Sequence, residues 1–185
     1  GAVALAARAA LLSGGGLVTA CVPKCGYIPL QSQVPEVMVW TTSGELEHVE
    51  FPDQTEGYVT CAGMGLGTSH ATSEAFLHWL GRQKAPVLLD ADALNILSAS
   101  PESLKAIPPD SILTPHPGEL RRLVGDWKDD FEKLEKAIEI AKTVTPEDAP
   151  EVEAVTYDER GMESLRHTGL GMYMEDSLTT ANLGK

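Results

Sequence analysis

Basic residues are scarce in this sequence of 185 residues, which holds 14 Lys and Arg against 27 Asp and Glu, for a net charge of −13. A protein that binds duplex nucleic acid needs a basic surface, so this balance argues against a nucleic-acid partner. It does not exclude a small anionic ligand, because a cluster of backbone N–H groups can hold one.

Cysteine is also rare, with Cys21, Cys25 and Cys61 as the three examples. An odd number with no regular spacing predicts no disulfide framework. The pair Cys21 and Cys25 lacks a second Cys or His pair at zinc spacing, so we predict no metal site there. Reduced, partly buried thiols in a cytoplasmic protein are the expectation.

Long hydrophobic runs are missing as well. The first 22 residues are rich in Ala and Leu, but Arg8 interrupts them and the run 13–16 (Ser-Gly-Gly-Gly) divides them. Such a segment is too short and too interrupted for a membrane span, and it has no basic region typical of a signal peptide. The sequence starts at Gly1 inside a helical pattern, which predicts that the natural N-terminus lies further upstream.

The pattern that is present is an alternation of short apolar runs with helical segments. Helices are predicted over 2–12, after Thr68 or Ser69, and over 127–142. A loop is predicted over 23–33, and an edge hairpin over 45–51, where apolar residues alternate only loosely. Strands are predicted over 17–22, 37–41, 58–62, 86–90 and 112–114. Strand–helix alternation predicts an α/β domain with a doubly wound, mostly parallel sheet.

Polar clusters follow three of the predicted strands. A glycine-rich run, Gly63-Met-Gly-Leu-Gly67, follows the third, Asp90-Ala-Asp-Ala-Leu-Asn95 the fourth, and Thr114-Pro-His-Pro-Gly-Glu119 the fifth. In open α/β sheets the carboxyl edge of the strands is where ligands bind. The sequence therefore predicts a site at the two strand ends that carry Asp90–Asn95 and Thr114–Glu119, and the glycine run can bring backbone N–H groups close to a ligand.

Asp90 and Asp92 are two residues apart, which on an extended strand directs both carboxylates to one face. Two such carboxylates share a proton or recruit a cation, or else one caps the next helix while the other fixes the loop. Both interpretations stay open at this stage. His116 and Glu119 lack a third ligand, so they are not predicted to bind zinc.

These motifs, in this order, resemble the ADP/ATP-dependent NAD(P)H-hydrate dehydratases, a branch of the ribokinase-like fold. The resemblance covers residues 1–142. It implies a ribokinase-like three-layer α/β/α domain with a mostly parallel sheet, incomplete at both ends of this sequence. It also implies repair of (S)-NADH or NADPH hydrate: ADP or ATP phosphorylates the ring hydroxyl, and elimination of phosphate restores the nicotinamide.

The resemblance also implies roles for particular residues. Ala2, Gly63, Gly65 and His116 would contact the hydrated dinucleotide, while Asp90, Asn95 and Glu119 would lie on the side of the adenine nucleotide and Mg²⁺. The implied partners are the hydrate and the nucleotide, with neither nucleic acid nor membrane. A homo-oligomer is expected, as is fusion to, or cooperation with, an NAD(P)H-hydrate epimerase.

Residues 143–185 depart from the family in this order. They form an acidic tail with nine Asp and Glu against three Lys and Arg, and no strand is predicted in them. The family's catalytic base is the Asp of a Gly-Thr/Ser-Gly-Asp loop, which this sequence does not contain, so no catalytic residue is assigned. An inactive nucleotide-binding homologue or subunit, and a kinase of the same fold acting on a vitamin or sugar hydroxyl, remain alternatives.

Overall fold

The chain alternates strands and helices, as its sequence pattern predicts. A computed structural model describes residues 1–53 and 57–144, together with the backbone of residues 154–157 and 163–166. The helices are α1 (Ala2–Leu12), α2 (Tyr27–Gln33), α3 (His70–Leu80), α4 (Asp92–Ala99), α5 (Pro117–Val124) and α6 (Asp130–Thr143). The strands are β1 (Thr19–Val22), β2 (Met38–Thr41), β3 (Thr60–Ala62), β4 (Val87–Leu89), β5 (Ile112–Leu113), β6 (Ala154–Tyr157) and β7 (Glu163–Arg166).

Strands β1 to β5 pair only in parallel. Strands β1 and β2 form one pair, and β3, β4 and β5 form a second sheet with β4 in the centre. The register places Ala62 beside Leu89 and Leu89 beside Leu113, so β3, β4 and β5 end level with one another. The loops that follow the three strands therefore start at the same edge of the sheet.

Apolar burial holds this sheet between helices. The largest buried cluster joins α3, α4 and the sheet, and its fully buried side chains include Phe76, Leu80, Leu89, Leu94 and Leu113. Burying one such side chain stabilises the fold by about 1.5–3 kcal/mol. Two smaller clusters pack α1 and α2 on β1 and β2, and α5 on α6.

Two local predictions were wrong. Residues 23–33 are not a loop, because they contain a short 3₁₀-helix and then α2, whose Leu30 is buried. Pro29 lies in the first turn of α2, where its missing N–H leaves no intrahelical bond unmade. The segment 45–51 forms no hairpin strand; its backbone is instead bonded to the 3₁₀-helix, as in the 2.9 Å bond from the Cys25 N–H to the Glu45 carbonyl.

The tail contains more regular structure than the sequence predicted. Strands β6 and β7 pair antiparallel, with Ala154 beside Arg166 and Tyr157 beside Glu163. The acidic residues Asp148, Asp158 and Asp176, and the run Gly169-Leu-Gly171, lie outside the described residues. Among the described helices, none has the length and apolar character needed to cross a bilayer.

Candidate functional site at the carboxyl edge of the sheet

Three loops meet where β3, β4 and β5 end. The Asp90 N–H donates to the Ala62 carbonyl at 3.1 Å, and the Thr114 N–H donates to the Leu89 carbonyl at 3.2 Å. These bonds continue the parallel ladder one residue beyond each strand. The loops that carry Asp90–Asn95 and Thr114–Glu119 therefore start at one edge of the sheet, and the glycine loop starts there as well.

The glycine loop, residues 63–67, lies directly against the loop that follows β4. Gly63 has φ +121°, and a Cβ there would overlap the Asp90 carbonyl oxygen and lie 2.9 Å from the Ala93 backbone nitrogen. The Asp92 N–H also donates to the Gly63 carbonyl at 3.2 Å. Only a residue without a Cβ fits this approach, so Gly63 fixes the contact between the two loops.

The start of α1 reaches the same loop. Gly65 has φ +74°, and the position of a Cβ on it would be 3.3 Å from the Cβ of Ala2. The fold thus brings together Ala2, Gly63 and Gly65, three of the residues expected to touch the substrate. They come from α1 and from the loop after β3, more than 60 residues apart in sequence.

The two aspartates after β4 do not share a face, contrary to the expectation from an extended strand. Ala91 between them has φ 50° and ψ −119°, which turns the chain sharply and makes Asp92 the first residue of α4. The Asp90 Oδ1 accepts from the Ala91 N–H at 2.8 Å, whereas the Asp92 Oδ2 accepts from the Gly67 N–H at 2.8 Å. Asp90 thus fixes its own loop, and Asp92 holds the glycine loop.

Asn95 links α4 to α5. Its Nδ2 donates to the Asp92 Oδ1 at 3.4 Å, and its Oδ1 accepts from the Arg122 Nη1 at 2.8 Å. The sequence did not single out Arg122, which lies three residues after Glu119 on α5. That spacing places the two residues on one side of the helix and is the signal that could have identified it.

His116 and Glu119 form a capping box at the start of α5. The Glu119 Oε2 accepts from the His116 N–H at 3.0 Å, and the His116 Nδ1 accepts from the Gly118 N–H at 3.0 Å. Because Nδ1 accepts, the neutral ring carries its hydrogen on Nε2, which lies 3.2 Å from the Glu119 Oε1. The Glu119 side chain is 6% exposed, whereas that of His116 is 54% exposed and faces solvent at the sheet edge.

Most carboxylate oxygens at this edge already accept hydrogen bonds. Both oxygens of Asp92 and both of Glu119 are engaged, while the Asp90 Oδ2 has no partner among the described residues. Within residues 1–53 and 57–144, no three His, Cys, Asp or Glu side chains group as metal ligands. Mg²⁺ commonly takes one or two carboxylates and completes its shell with phosphate and water. Asp90 fits that pattern as a single protein ligand.

The groups with shifted pKa values lie outside this edge. Burial lowers the pKa of His48, which is 6% exposed and stacks on Phe51 at a ring distance of 4.9 Å. Burial, with the Glu50 carboxylate, raises the pKa of the Cys21 thiol to about 11, and burial raises that of Cys61. All three cysteines are free thiols.

Comparison with known proteins decides the family. A model of the NAD(P)H-hydrate dehydratase family, Carb_kinase, matches residues 1–147. The chain belongs to this family. The family resemblance seen in the sequence motifs is thereby confirmed.

Curated relatives of the family agree. The chain is 38% identical over 133 residues to the "Bifunctional NAD(P)H-hydrate repair enzyme Nnr" of Moorella thermoacetica, covering 68% of this chain and 25% of that protein. It is 32% identical over 130 residues to the "ADP-dependent (S)-NAD(P)H-hydrate dehydratase" of Lactiplantibacillus plantarum, covering 68% of this chain and 44% of that protein. The chain thus spans about a quarter of the first relative and less than half of the second.

Solved structures confirm the ribokinase-like α/β fold. A ribokinase-like superfamily protein from Enterococcus faecalis V583 superposes with a TM-score of 0.62 at 20% identity, covering 94% of this chain and 58% of that one. A protein from Streptococcus mutans gives the same TM-score at 25% identity, covering 94% of this chain and 60% of that one.

Proposed function

We propose that this chain contributes the substrate-holding part of an enzyme that dehydrates (S)-NADH or NADPH hydrate, with ADP or ATP as the phosphoryl donor. One observation carries the proposal. The glycine loop, the Asp90–Asn95 turn and the Thr114–Glu119 turn form one continuous edge, in a chain of the dehydratase family.

The chemistry sets what the edge has to do. The ring hydroxyl of the hydrate is a poor leaving group. Its oxygen gives its proton to a base and attacks the terminal phosphorus of the nucleotide. A new O–P bond forms, and the bond from that phosphorus to the shortened nucleotide breaks. The ring oxygen then leaves as phosphate while the adjacent ring carbon loses a proton, which restores the dihydronicotinamide. Phosphoryl transfer of this kind depends chiefly on positioning and on charge stabilisation.

The described residues support the positioning part. The glycine loop permits close backbone approach to a dinucleotide, and Ala2 borders it. His116 offers an exposed imidazole at the neighbouring strand end. Mg²⁺, when bound, neutralises phosphate charge, and the Asp90 Oδ2 is the oxygen we assign to it.

The proton-abstracting residue is not assigned to this chain. The sequence contains no Gly-Thr-Gly-Asp or Gly-Ser-Gly-Asp run, in which the resemblance places the base. We therefore test a second candidate beside it, a homologue that binds the hydrate and nucleotide without turnover. The two candidates agree on binding and differ only in catalysis.

One experiment separates them. Chemically hydrated NADPH is titrated into the chain by calorimetry, and ADP or ATP with Mg²⁺ is then added while the near-ultraviolet absorbance of dihydronicotinamide is followed. Binding with recovery of absorbance supports the dehydratase, and binding without recovery supports the inactive homologue. No binding of the hydrate would overturn both.

A matched pair of histidine variants tests the location of the site. We expect His116→Ala to weaken hydrate binding by up to about tenfold, because it removes the imidazole and also the cap that orders the start of α5. His78→Ala removes an imidazole that is also exposed but lies on α3. Equal affinities for the two variants would place the ligand elsewhere.

We also propose a cytoplasmic homo-oligomer that works with an epimerase. The free thiols support a reducing compartment. Leu5 and Leu12, 74% and 79% exposed on the outer side of α1, support an interface between copies. The word "bifunctional" in the relatives' names supports a second activity. Light scattering of the purified chain would test the oligomer, and a monomer would contradict it.

A further inference from the structure

A line of polar groups connects the outer side of α5 with the glycine loop. Arg122 Nη1 donates to Asn95 Oδ1 at 2.8 Å, Asn95 Nδ2 lies 3.4 Å from Asp92 Oδ1, and the Gly67 N–H donates to Asp92 Oδ2 at 2.8 Å. Four groups from two helices and one loop therefore form a single chain of hydrogen bonds, which we call the Arg122 relay.

The chemistry of the members fixes the direction of every bond. A guanidinium only donates, so the Asn95 oxygen has to face Arg122. The Asn95 amide nitrogen then faces Asp92, whose carboxylate only accepts. The backbone N–H of Gly67, which bonds to the second oxygen of Asp92, can only donate as well. The donor and acceptor roles are therefore fixed at both ends of the relay. Asn95 is thus held in one orientation by Arg122.

The relay ends at Gly67, the exposed last residue of the glycine loop, one residue beyond Leu66, which packs on the main core. The start of the loop is wedged at Gly63 against Asp90 and Ala93, but a Cβ at Gly67 would meet nothing within 4 Å. Gly67 is exposed and has φ +83°, which is one of many backbone conformations that a glycine can adopt. The Asp92 carboxylate accepts the Gly67 N–H, and Asn95 and Arg122 hold that carboxylate in place.

We propose that Arg122 is a positioning residue that orders the glycine loop through Asn95 and Asp92 and so raises its affinity for the hydrated dinucleotide. The ligand named here rests on the proposed function. The ordering of the loop does not, because it follows from the hydrogen bonds of the protein alone.

The neighbouring arginine provides a matched control. Arg121 lies on the same last turn of α5, but its Nε pairs with Asp126 at 3.0 Å and its guanidinium covers the Trp127 ring at 4.6 Å. Arg121→Gln and Arg122→Gln remove the same charge from the same helix end. The loss of one positive charge at this helix end is therefore common to both variants, and only Arg122→Gln interrupts the relay.

The first test measures the loop without ligand. Amide hydrogen exchange at Gly67, followed by NMR, should become about five- to tenfold faster in Arg122→Gln, since one charge-assisted hydrogen bond no longer holds the acceptor. It should stay at the wild-type rate in Arg121→Gln. Equal exchange at Gly67 in both variants would overturn the proposal.

The second test measures affinity for chemically hydrated NADPH by calorimetry. Arg122→Gln should weaken binding several-fold, Arg121→Gln should not, and Arg122→Lys should recover most of the loss because an ammonium can still donate to Asn95. Should Arg122→Gln fail to fold, Asn95→Asp serves instead: it keeps an acceptor for Arg122 but removes the donor to Asp92, and it should also accelerate exchange at Gly67.

The outcomes separate the two claims. If exchange at Gly67 is faster in Arg122→Gln but the wild type binds no hydrate, the proposed function is refuted and the ordering of the loop by Arg122 is supported. Hydrate binding that is equal in the wild type and Arg122→Gln, with unchanged exchange at Gly67, would refute the relay and leave the proposed function standing.

Discussion

The three glycines of the glycine loop offer a graded test of the site's construction. Gly63, Gly65 and Gly67 have φ values of +121°, +74° and +83°, so an alanine at any of them adopts a disfavoured backbone conformation. That conformation costs about 1–2 kcal/mol for a residue with a Cβ. What differs among the three positions is the space available for the new methyl group.

Gly63→Ala meets an additional penalty. Its Cβ would overlap the Asp90 carbonyl and lie 2.9 Å from Ala93, and both are backbone or short side-chain atoms with little room to move. Such overpacking costs about 1–3 kcal/mol more, which gives about 2–5 kcal/mol in total. At Gly67 nothing lies within 4 Å, so Gly67→Ala should cost only about 1–2 kcal/mol.

Urea unfolding measures the difference. Trp79 is 3% exposed in the main core, so its fluorescence reports on global unfolding. The midpoint should fall furthest in Gly63→Ala, least in Gly67→Ala and by an intermediate amount in Gly65→Ala, where the Ala2 Cβ is 3.3 Å away. Midpoints that coincide for Gly63→Ala and Gly67→Ala would show that the two loops do not touch as described.

Three further predictions concern single residues. Ala91→Gly should raise the free energy of unfolding by about 1 kcal/mol, because glycine tolerates φ 50° and ψ −119°; a lower urea midpoint would contradict this. Burial lowers the pKa of His48 from 6.5, so the unfolded chain binds the proton more readily. Stability is then fully present above that value and is lost as the pH falls below it through the lowered pKa, and His48→Gln should make the urea midpoint less dependent on pH in that range. Iodoacetamide at about pH 8 should alkylate the exposed Cys25 before Cys21, whose pKa burial and Glu50 raise to about 11; equal labelling in peptide mass spectra would refute this.

The sheet and its polar edge could be predicted from sequence because their signals are local. Short apolar runs that end in Gly63, Asp90 and Thr114 identify β3, β4 and β5 without knowledge of their neighbours. The Ser69 cap is local too, since its side chain accepts from the Thr72 N–H at 3.2 Å. In contrast, α2 was missed because Pro29 resembles a helix breaker unless its position in the first turn is known.

The bonds that define the edge could not be predicted, because they join residues far apart in sequence. Asp92 binds the Gly67 N–H 25 positions earlier, and Arg122 binds Asn95 27 positions earlier. The positive φ of Ala91 was equally hidden, since alanine carries no sequence signal for that conformation. The two-residue spacing of Asp90 and Asp92 therefore suggested one shared face, whereas the turn at Ala91 sends them to different partners.

The capping box at α5 makes ligand contact and helix order parts of one equilibrium. Both nitrogens of the His116 ring are already engaged, Nδ1 by the Gly118 N–H and Nε2 by the Glu119 carboxylate. A ligand that bonds to this ring in the plane of its nitrogens has to displace one of those partners, and loss of such a cap costs about 1 kcal/mol. The net free energy of binding is then that of the bonds to the ligand less that of the capping bond that is displaced. The order of the first turn of α5 should therefore change when the ligand binds.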